Sequence, residues 1–338
     1  MSMPPCTPMV STVTGPLPVS GLGVTLPHEH VIHRISNFSR NDDNTCVDID
    51  LMTRELVRYR KAGGGTVCDM TPIGVGRDAC ALREVSNRSG VAIVTGVGVY
   101  DVSTYPEHLV HASREEWADF LLAEVMGGGT SIRAGVIGEV ASHNEPHANW
   151  RHYRLFPIEE TVFQAVADVQ KRTGLFISTH ASLGRQGVAQ LNVLSDSGAD
   201  LQRIIIGHCD AMGHADDLAK DMEYFHQLLS RGAWLEFDMF GWEELIPDEL
   251  RFERVAVLVR EGFVDRLLLS TDICRRSQLC ENNGRGFLYL FSHVIPGLKR
   301  WGASEAEIYR MTVENPARML GSFRSAVAND LLPIADSS

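Results

Sequence analysis

The chain has 338 residues, with 31 basic and 43 acidic side chains and a formal net charge of −12. That balance excludes the basic footprint of a nucleic-acid binder and adsorption to an anionic membrane surface. No apolar run reaches membrane-spanning length, and no basic-then-apolar start resembles a signal peptide. The seven cysteines, without a CxxC pair, read as reduced thiols of a cytoplasmic protein.

In chain order, Ser11–Thr14 and Leu17–Leu22 read as an N-terminal hairpin turning at Gly15–Pro16. Eight short Val/Ile/Leu-rich runs follow: Val24–His30, Thr66–Thr71, Val91–Val99, Ile132–Val140, Leu175–His180, Arg203–Cys209, Ala233–Met239 and Arg266–Asp272. Such runs suit parallel strands covered on both faces. Helical patterns separate them. Ser113–Glu116 and Ser304–Glu307 have the spacing of capping boxes. Gly63, Gly90, Gly174, Gly232 and Gly262 fall where helices should stop in a left-handed residue. Asn315–Pro316 reads as the N-cap and first residue of a last helix. This alternation predicts a single-domain α/β fold, a (β/α)8 TIM-type barrel. The barrel would span 24–322, with an arm over 1–23 and a frayed tail over 323–338. An open doubly wound sheet is the alternative, weakened by the lack of a GxGxxG turn.

The chemistry lies in where the polar residues fall. The first strand ends in His28-Glu29-His30, the fourth carries Glu139, the fifth ends in His180, the sixth carries His208 and the eighth ends in Asp272. In a barrel these ends share one rim, where active sites form. Side chains alternate along a strand, so His28 and His30 face the same way and Glu29 faces away. Histidine and carboxylate ligands suit zinc, with manganese or cobalt as alternatives. Six ligands exceed one tetrahedral shell and suit two metals. Taken singly, each has an ordinary reading: a core histidine at His208, a surface histidine at His180, a helix cap at Asp272.

Five segments together resemble the phosphotriesterase family of the amidohydrolase superfamily: GLGVTLPHEHV, STHASLGRQG, IIGHCDAMGHADDL, LLSTD and TVENPARML. The likeness runs from about Ser11 to Gly321. It implies that His28, His30 and Asp272 hold one metal, and that His180 and His208 hold the other. Many members bridge the metals with a carbamylated lysine on strand four. Here the four lysines, Lys61, Lys171, Lys220 and Lys299, fall in helical patterns, and Glu139 stands in that position. A carboxylate matches a carbamate in charge and in its two oxygens, so Glu139 is the expected bridge. The alternative is that it orients a ligand from behind. The resemblance further implies hydrolysis, with Asp272 taking a proton from the attacking water, and a homodimer.

For the small-molecule substrate, Tyr100 resembles a tyrosine that lactonase members place near the bound carbonyl. Arg185, Arg275 and Arg276 follow strand ends and could clamp an anion. Phe240 and Trp242 could form an apolar wall, and His143 and His147 could line the mouth. The expected bond is a carboxylic ester or lactone, then a phosphotriester, then an amide. A barrel that only binds a small molecule would be expected to have lost a ligand, and no ligand is missing.

Overall fold

The computed structural model describes residues 8–143, 150–182, 185–211 and 217–321. Eight parallel strands form one sheet: β1 (Val24–Glu29), β2 (Gly64–Asp69), β3 (Ala92–Val97), β4 (Val136–His143), β5 (Ile177–Ser182), β6 (Ile204–Ile206), β7 (Trp234–Phe237) and β8 (Leu267–Leu269). They pair in sequence order, and the nearly closed barrel is joined where β8 meets β1. There His30 N donates to Ile273 O at 3.2 Å, and His28 N donates to Ser270 Oγ at 3.1 Å. The helices between the strands are α1 (Ile49–Lys61), α2 (Ala79–Ser89), α3 (Arg114–Val125), α4 (Pro157–Thr173), α5 (Gly187–Asp196), α6 (Leu218–Ser230) and α7 (Asp248–Arg260). Several start where a side chain accepts an otherwise unpaired backbone N–H: Asp48 for α1, Asp78 for α2 and Asp217 for α6. Both predicted capping boxes form, and the five predicted stop glycines all take positive φ.

Two apolar layers position the site. The outer layer packs strand residues such as Leu26, Ile93, Ile137 and Phe237 against helix residues such as Leu56, Val85 and Leu258. The inner layer draws Cys68, Val94, Val136, Ile205, Trp234 and Leu268 from the strands, together with Val10 and Leu22 of the arm and Met319 and Leu320. It is a packed interior, so any open chemistry is confined to the rim.

Three local expectations are corrected. The arm is a hairpin, but Thr12 pairs with Gly15, so the turn is Val13–Thr14 and Gly15–Pro16 lie in the second strand. Gly15 still carries the unusual backbone, with φ of 117°. The fourth strand runs four residues later than expected at its start and ends at His143, because Gly127–Thr130 forms a turn that delays it. Asn315 is not an N-cap. It lies inside a helical run, after a π turn at Arg310–Glu314. Its amide donates to Val264 O and Leu267 O, at 2.8 and 2.7 Å. The wide turn fits Pro316, which cannot donate to the preceding turn.

Among the described residues, no helix is long and apolar enough to cross a membrane. Their six cysteines are all free thiols; Cys6 lies outside them.

Candidate metal centre

Bulges aim the first candidate ligands. On β1 the pairing steps from Leu26↔Val67 to Glu29↔Asp69, so one extra residue is inserted opposite β2. The insertion leaves Glu29 in the outward register and His28 and His30 facing the interior. On β4 the step from Ile137↔Ile177 to Val140↔Thr179 does the same for Glu139. His208 and Asp272 are placed by another device: both hold left-handed backbone, with φ of 53° and 45°. Residues other than glycine pay for such geometry in strain, which gathers at functional sites.

The six predicted ligands come together. His30 Nε2 lies 3.3 Å from Asp272 Oδ1 and 3.6 Å from Glu139 Oε1. The other oxygen, Glu139 Oε2, lies 2.8 Å from His180 Nδ1, 3.4 Å from His28 Nε2 and 3.7 Å from His208 Nε2. His208 Nε2 and His180 Nδ1 are 2.7 Å apart. Ligand atoms of His28, His30 and Asp272 gather closely enough to hold one cation, as do those of His28, Glu139 and His208. Among the predicted ligand atoms, His28 Nε2 and Asp272 Oδ1 are buried without a hydrogen-bond partner. An unpaired buried polar atom is costly, and a cation satisfies a ring nitrogen and a carboxylate oxygen together. The donor set therefore fits a divalent metal. Burial pushes the Glu139 carboxyl upward, but His180, His208 and His28 outweigh it and hold it well below the usual carboxylate range. Burial likewise opposes ionisation of Asp272, and His30, His208 and His28 overcome it. Both are anions, as ligation requires. Burial brings His180 down to about 4, despite Glu139, so its ring is neutral and able to ligate.

Behind the ligands stands a ring of buried carboxylates that sequence reasoning missed. Asp238 Oδ1 lies 2.8 Å from His208 Nδ1, while its Oδ2 accepts from His208 N at 3.0 Å. Glu236 Oε2 lies 3.1 Å from His28 Nδ1. These contacts leave Nε2 of each ring for a metal. Thr71 plays the same part for His30, 3.1 Å from Nδ1. Burial pushes the Glu236 carboxyl up to about 7 against the pull of His28. The signal was present: Glu236-Phe-Asp238 has the alternation of His28-Glu-His30, one strand away from β8.

Other carboxylates clasp the rim loops. Glu29 faces away from the interior, as alternation predicted. It accepts from Thr271 N, Thr271 Oγ1, Ser270 Oγ and Ile273 N at 2.6–2.9 Å, which fixes the backbone on both sides of Asp272. Asp69 holds Val31 N and Ile32 N beyond His30. Asp210 holds Asp238 N and Met239 N and faces Arg251 Nε at 3.1 Å.

The predicted substrate residues are placed more variously. The Tyr100 ring stands edge-on to His180, with centroids 4.7 Å apart. Trp242 is buried, and its indole N–H donates to Thr271 O at 3.2 Å, just before Asp272. Arg275 stacks on Trp242 at 4.2 Å and pairs with Glu244 at 2.9 Å. Arg185 is buried and pairs with Asp221 of α6. Arg276 is exposed in a short 3-10 turn. Phe240 stacks on Phe252 of α7 within the outer core, so it is not an open wall. His143 is at the rim beside Tyr100; His147 lies outside the described residues. All four lysines are in helices.

A parallel barrel with interlinked histidine and carboxylate clusters at the strand C-termini has the architecture of a metal-dependent hydrolase. A model of the phosphotriesterase family matches residues 8–320, and the chain belongs to that family. The "Phosphotriesterase homology protein" of Escherichia coli (strain K12) is 34% identical over 88% of this chain and 97% of its own. Its crystal structure, with phosphate in the active site, matches with a TM-score of 0.81 over 89% of this chain and 99% of that one. An N-acetyltaurine hydrolase of Dictyostelium discoideum is 31% identical, covering 84% of this chain and 76% of its own. A mutant of a Deinococcus radiodurans lactonase matches with a TM-score of 0.77 and 32% identity, over 92% of this chain and 99% of that one.

Proposed function

We propose that the protein is a binuclear metal-dependent hydrolase that cleaves a carboxylic ester or lactone. One observation carries this reading: the two oxygens of Glu139 face different partners. Oε1 is turned to His30 at 3.6 Å, and Oε2 to His180 at 2.8 Å, His28 at 3.4 Å and His208 at 3.7 Å. One carboxylate would thus serve two cations, of which His28, His30 and Asp272 would hold one and His180 and His208 the other. Zinc fits this ligand set, with manganese or cobalt as alternatives. When bound, such ions polarise a substrate carbonyl and acidify water.

The chain's own residues do the rest. Asp272, held by Glu29 through the neighbouring backbone, accepts the proton of the attacking water through the oxygen not used for ligation. Asp238, Glu236 and Thr71 fix which ring nitrogen each histidine turns inward. Tyr100, against His180, would orient the substrate carbonyl. A barrel kept only for binding has no need of six filled ligand positions.

A second reading, hydrolysis of an N-acyl amide, draws on the relatives named N-acetyltaurine hydrolase. The same Lewis-acid chemistry serves it, with an amine as leaving group. The test is a panel of lactones, alkyl esters, N-acetyl compounds and a phosphotriester, run on protein reconstituted with zinc, manganese or cobalt. The proposal expects kcat/KM to be highest for a lactone or ester. Highest turnover of an N-acetyl compound selects the amide reading, and turnover of the phosphotriester alone overturns both.

A further inference from the structure

His143 is left over by the scheme above, and its surroundings are those of a held acid. It ends β4, four residues beyond Glu139 and on the same face of the strand. Glu159 of α4 grips it at two points: Oε1 accepts His143 N at 2.9 Å and lies 3.1 Å from its Nδ1. Glu159 is itself buried, and its Oε2 accepts from Phe156 N at 3.0 Å. A carboxylate only accepts, so the ring carries a hydrogen on Nδ1. Nε2 is then the working atom. It is buried without a hydrogen-bond partner. The nearest carboxylate, Asp101 Oδ2, is 3.6 Å away, which is too far for a hydrogen bond. The Tyr100 ring stands between the two histidines, with centroids 5.8 Å from His143 and 4.7 Å from His180. Phe38, on a short helix at Ser36–Ser39, covers this corner at 6.4 Å from the His143 ring and is 36% exposed.

Position in the barrel gives the arrangement its meaning. With eight strands in sequence order, β4 lies across the mouth from β8. Asp272 and His143 thus stand on opposite sides of the opening. A hydrolysis needs a base where water attacks and an acid where the leaving group departs, and one group serves both ends poorly when they are far apart. A histidine held at Nδ1 by a carboxylate, with Nε2 aimed at the reaction, is a recurrent solution.

We infer that His143, oriented by Glu159, is the general acid that protonates the leaving group. This rests on the hydrolase reading. Asp272 accepts a proton from the water as its oxygen bonds to the carbonyl carbon. As the bond from that carbon to the leaving oxygen or nitrogen breaks, His143 Nε2–H donates its proton to the departing atom. The product is a neutral alcohol or amine. His143 regains a proton from solvent and Asp272 loses one, so the cycle balances. A substrate seated against Tyr100 would lie beside the His143 ring. Glu159 is a positioning residue.

The test compares para-nitrophenyl acetate, whose leaving group departs without a proton, with ethyl acetate, whose leaving group needs one. Both are run on metal-loaded protein. His143→Asn keeps a donor in the place of Nδ1 and removes Nε2. It should lower kcat for ethyl acetate by about a hundredfold and leave para-nitrophenyl acetate within about threefold. Glu159→Gln keeps the contact to Phe156 N and should show the same selectivity, more weakly. Equal losses on both esters, or none on either, overturn the assignment while leaving the hydrolase reading intact. A wild-type protein that hydrolyses neither these esters nor any lactone or N-acetyl compound overturns both.

Discussion

His28, Glu139, His208 and Asp272 are each less than a tenth exposed, and the strand ends and their carboxylate clasps fix them. The arginines of the loops above behave differently. Arg275 is 37% exposed and already paired with Glu244, and Arg276 is exposed. Arg185 is buried, but it pairs with Asp221 of α6. The inner rim is a buried polar network whose histidines are held from behind by carboxylates. In the outer loops, charge is partnered locally or left to solvent. A charged residue therefore reports chemistry at a strand end and says little in a loop.

That contrast can be broken by substitution, and the largest effect is expected at Asp272. Asp272→Asn keeps size and one oxygen but removes charge and basicity. We expect kcat to fall by at least about a hundredfold, with unchanged circular dichroism, since the residue sits above the packed interior layer. Near-normal turnover would reduce Asp272 to a buried partner of His30, with no part in the chemistry. The clasp behind the ligands comes next. Asp238→Asn should weaken metal affinity by about 10–100-fold in chelator competition, the usual cost of losing the partner of a ligating histidine. Unchanged affinity would show that His208 needs no orienting anion.

Much of the inner rim was readable in advance, because two regularities act there: a barrel gathers strand ends, and a strand alternates. His28, His30, Glu139, His180, His208 and Asp272 follow from them. Asp238 and Glu236 obey the same rules but went unnoticed, because carboxylates on a strand do not announce a metal as paired histidines do. The bulges at β1 and β4 were invisible, since an extra residue in the pairing leaves no mark on composition. The fate of the arginines was equally hidden. Arg185 looks like a clamp by its place after β5, but its partner Asp221 comes from a helix 36 residues later. The turn at Val13–Thr14 was misplaced because Gly-Pro is a strong turn signal, yet in this hairpin it falls inside the second strand.

The smallest effect is expected in the loops. Arg275→Ala removes an exposed pair and a contact with Trp242. It should change KM for anionic and neutral substrates alike, by less than about fivefold, consistent with the modest worth of exposed ion pairs. A large loss confined to anionic substrates would return Arg275 to the binding site and blur the contrast.

The central claim is that one carboxylate joins two metals, and counting the metals tests it directly. Elemental analysis of protein purified without chelator, beside Glu139→Gln prepared the same way, reads the stoichiometry. The account predicts about two divalent ions per wild-type chain and a clear deficit in the variant, whose neutral amide is a poor bridge. A fully active wild-type enzyme with one ion, or a variant that keeps both ions and its rate, would contradict it.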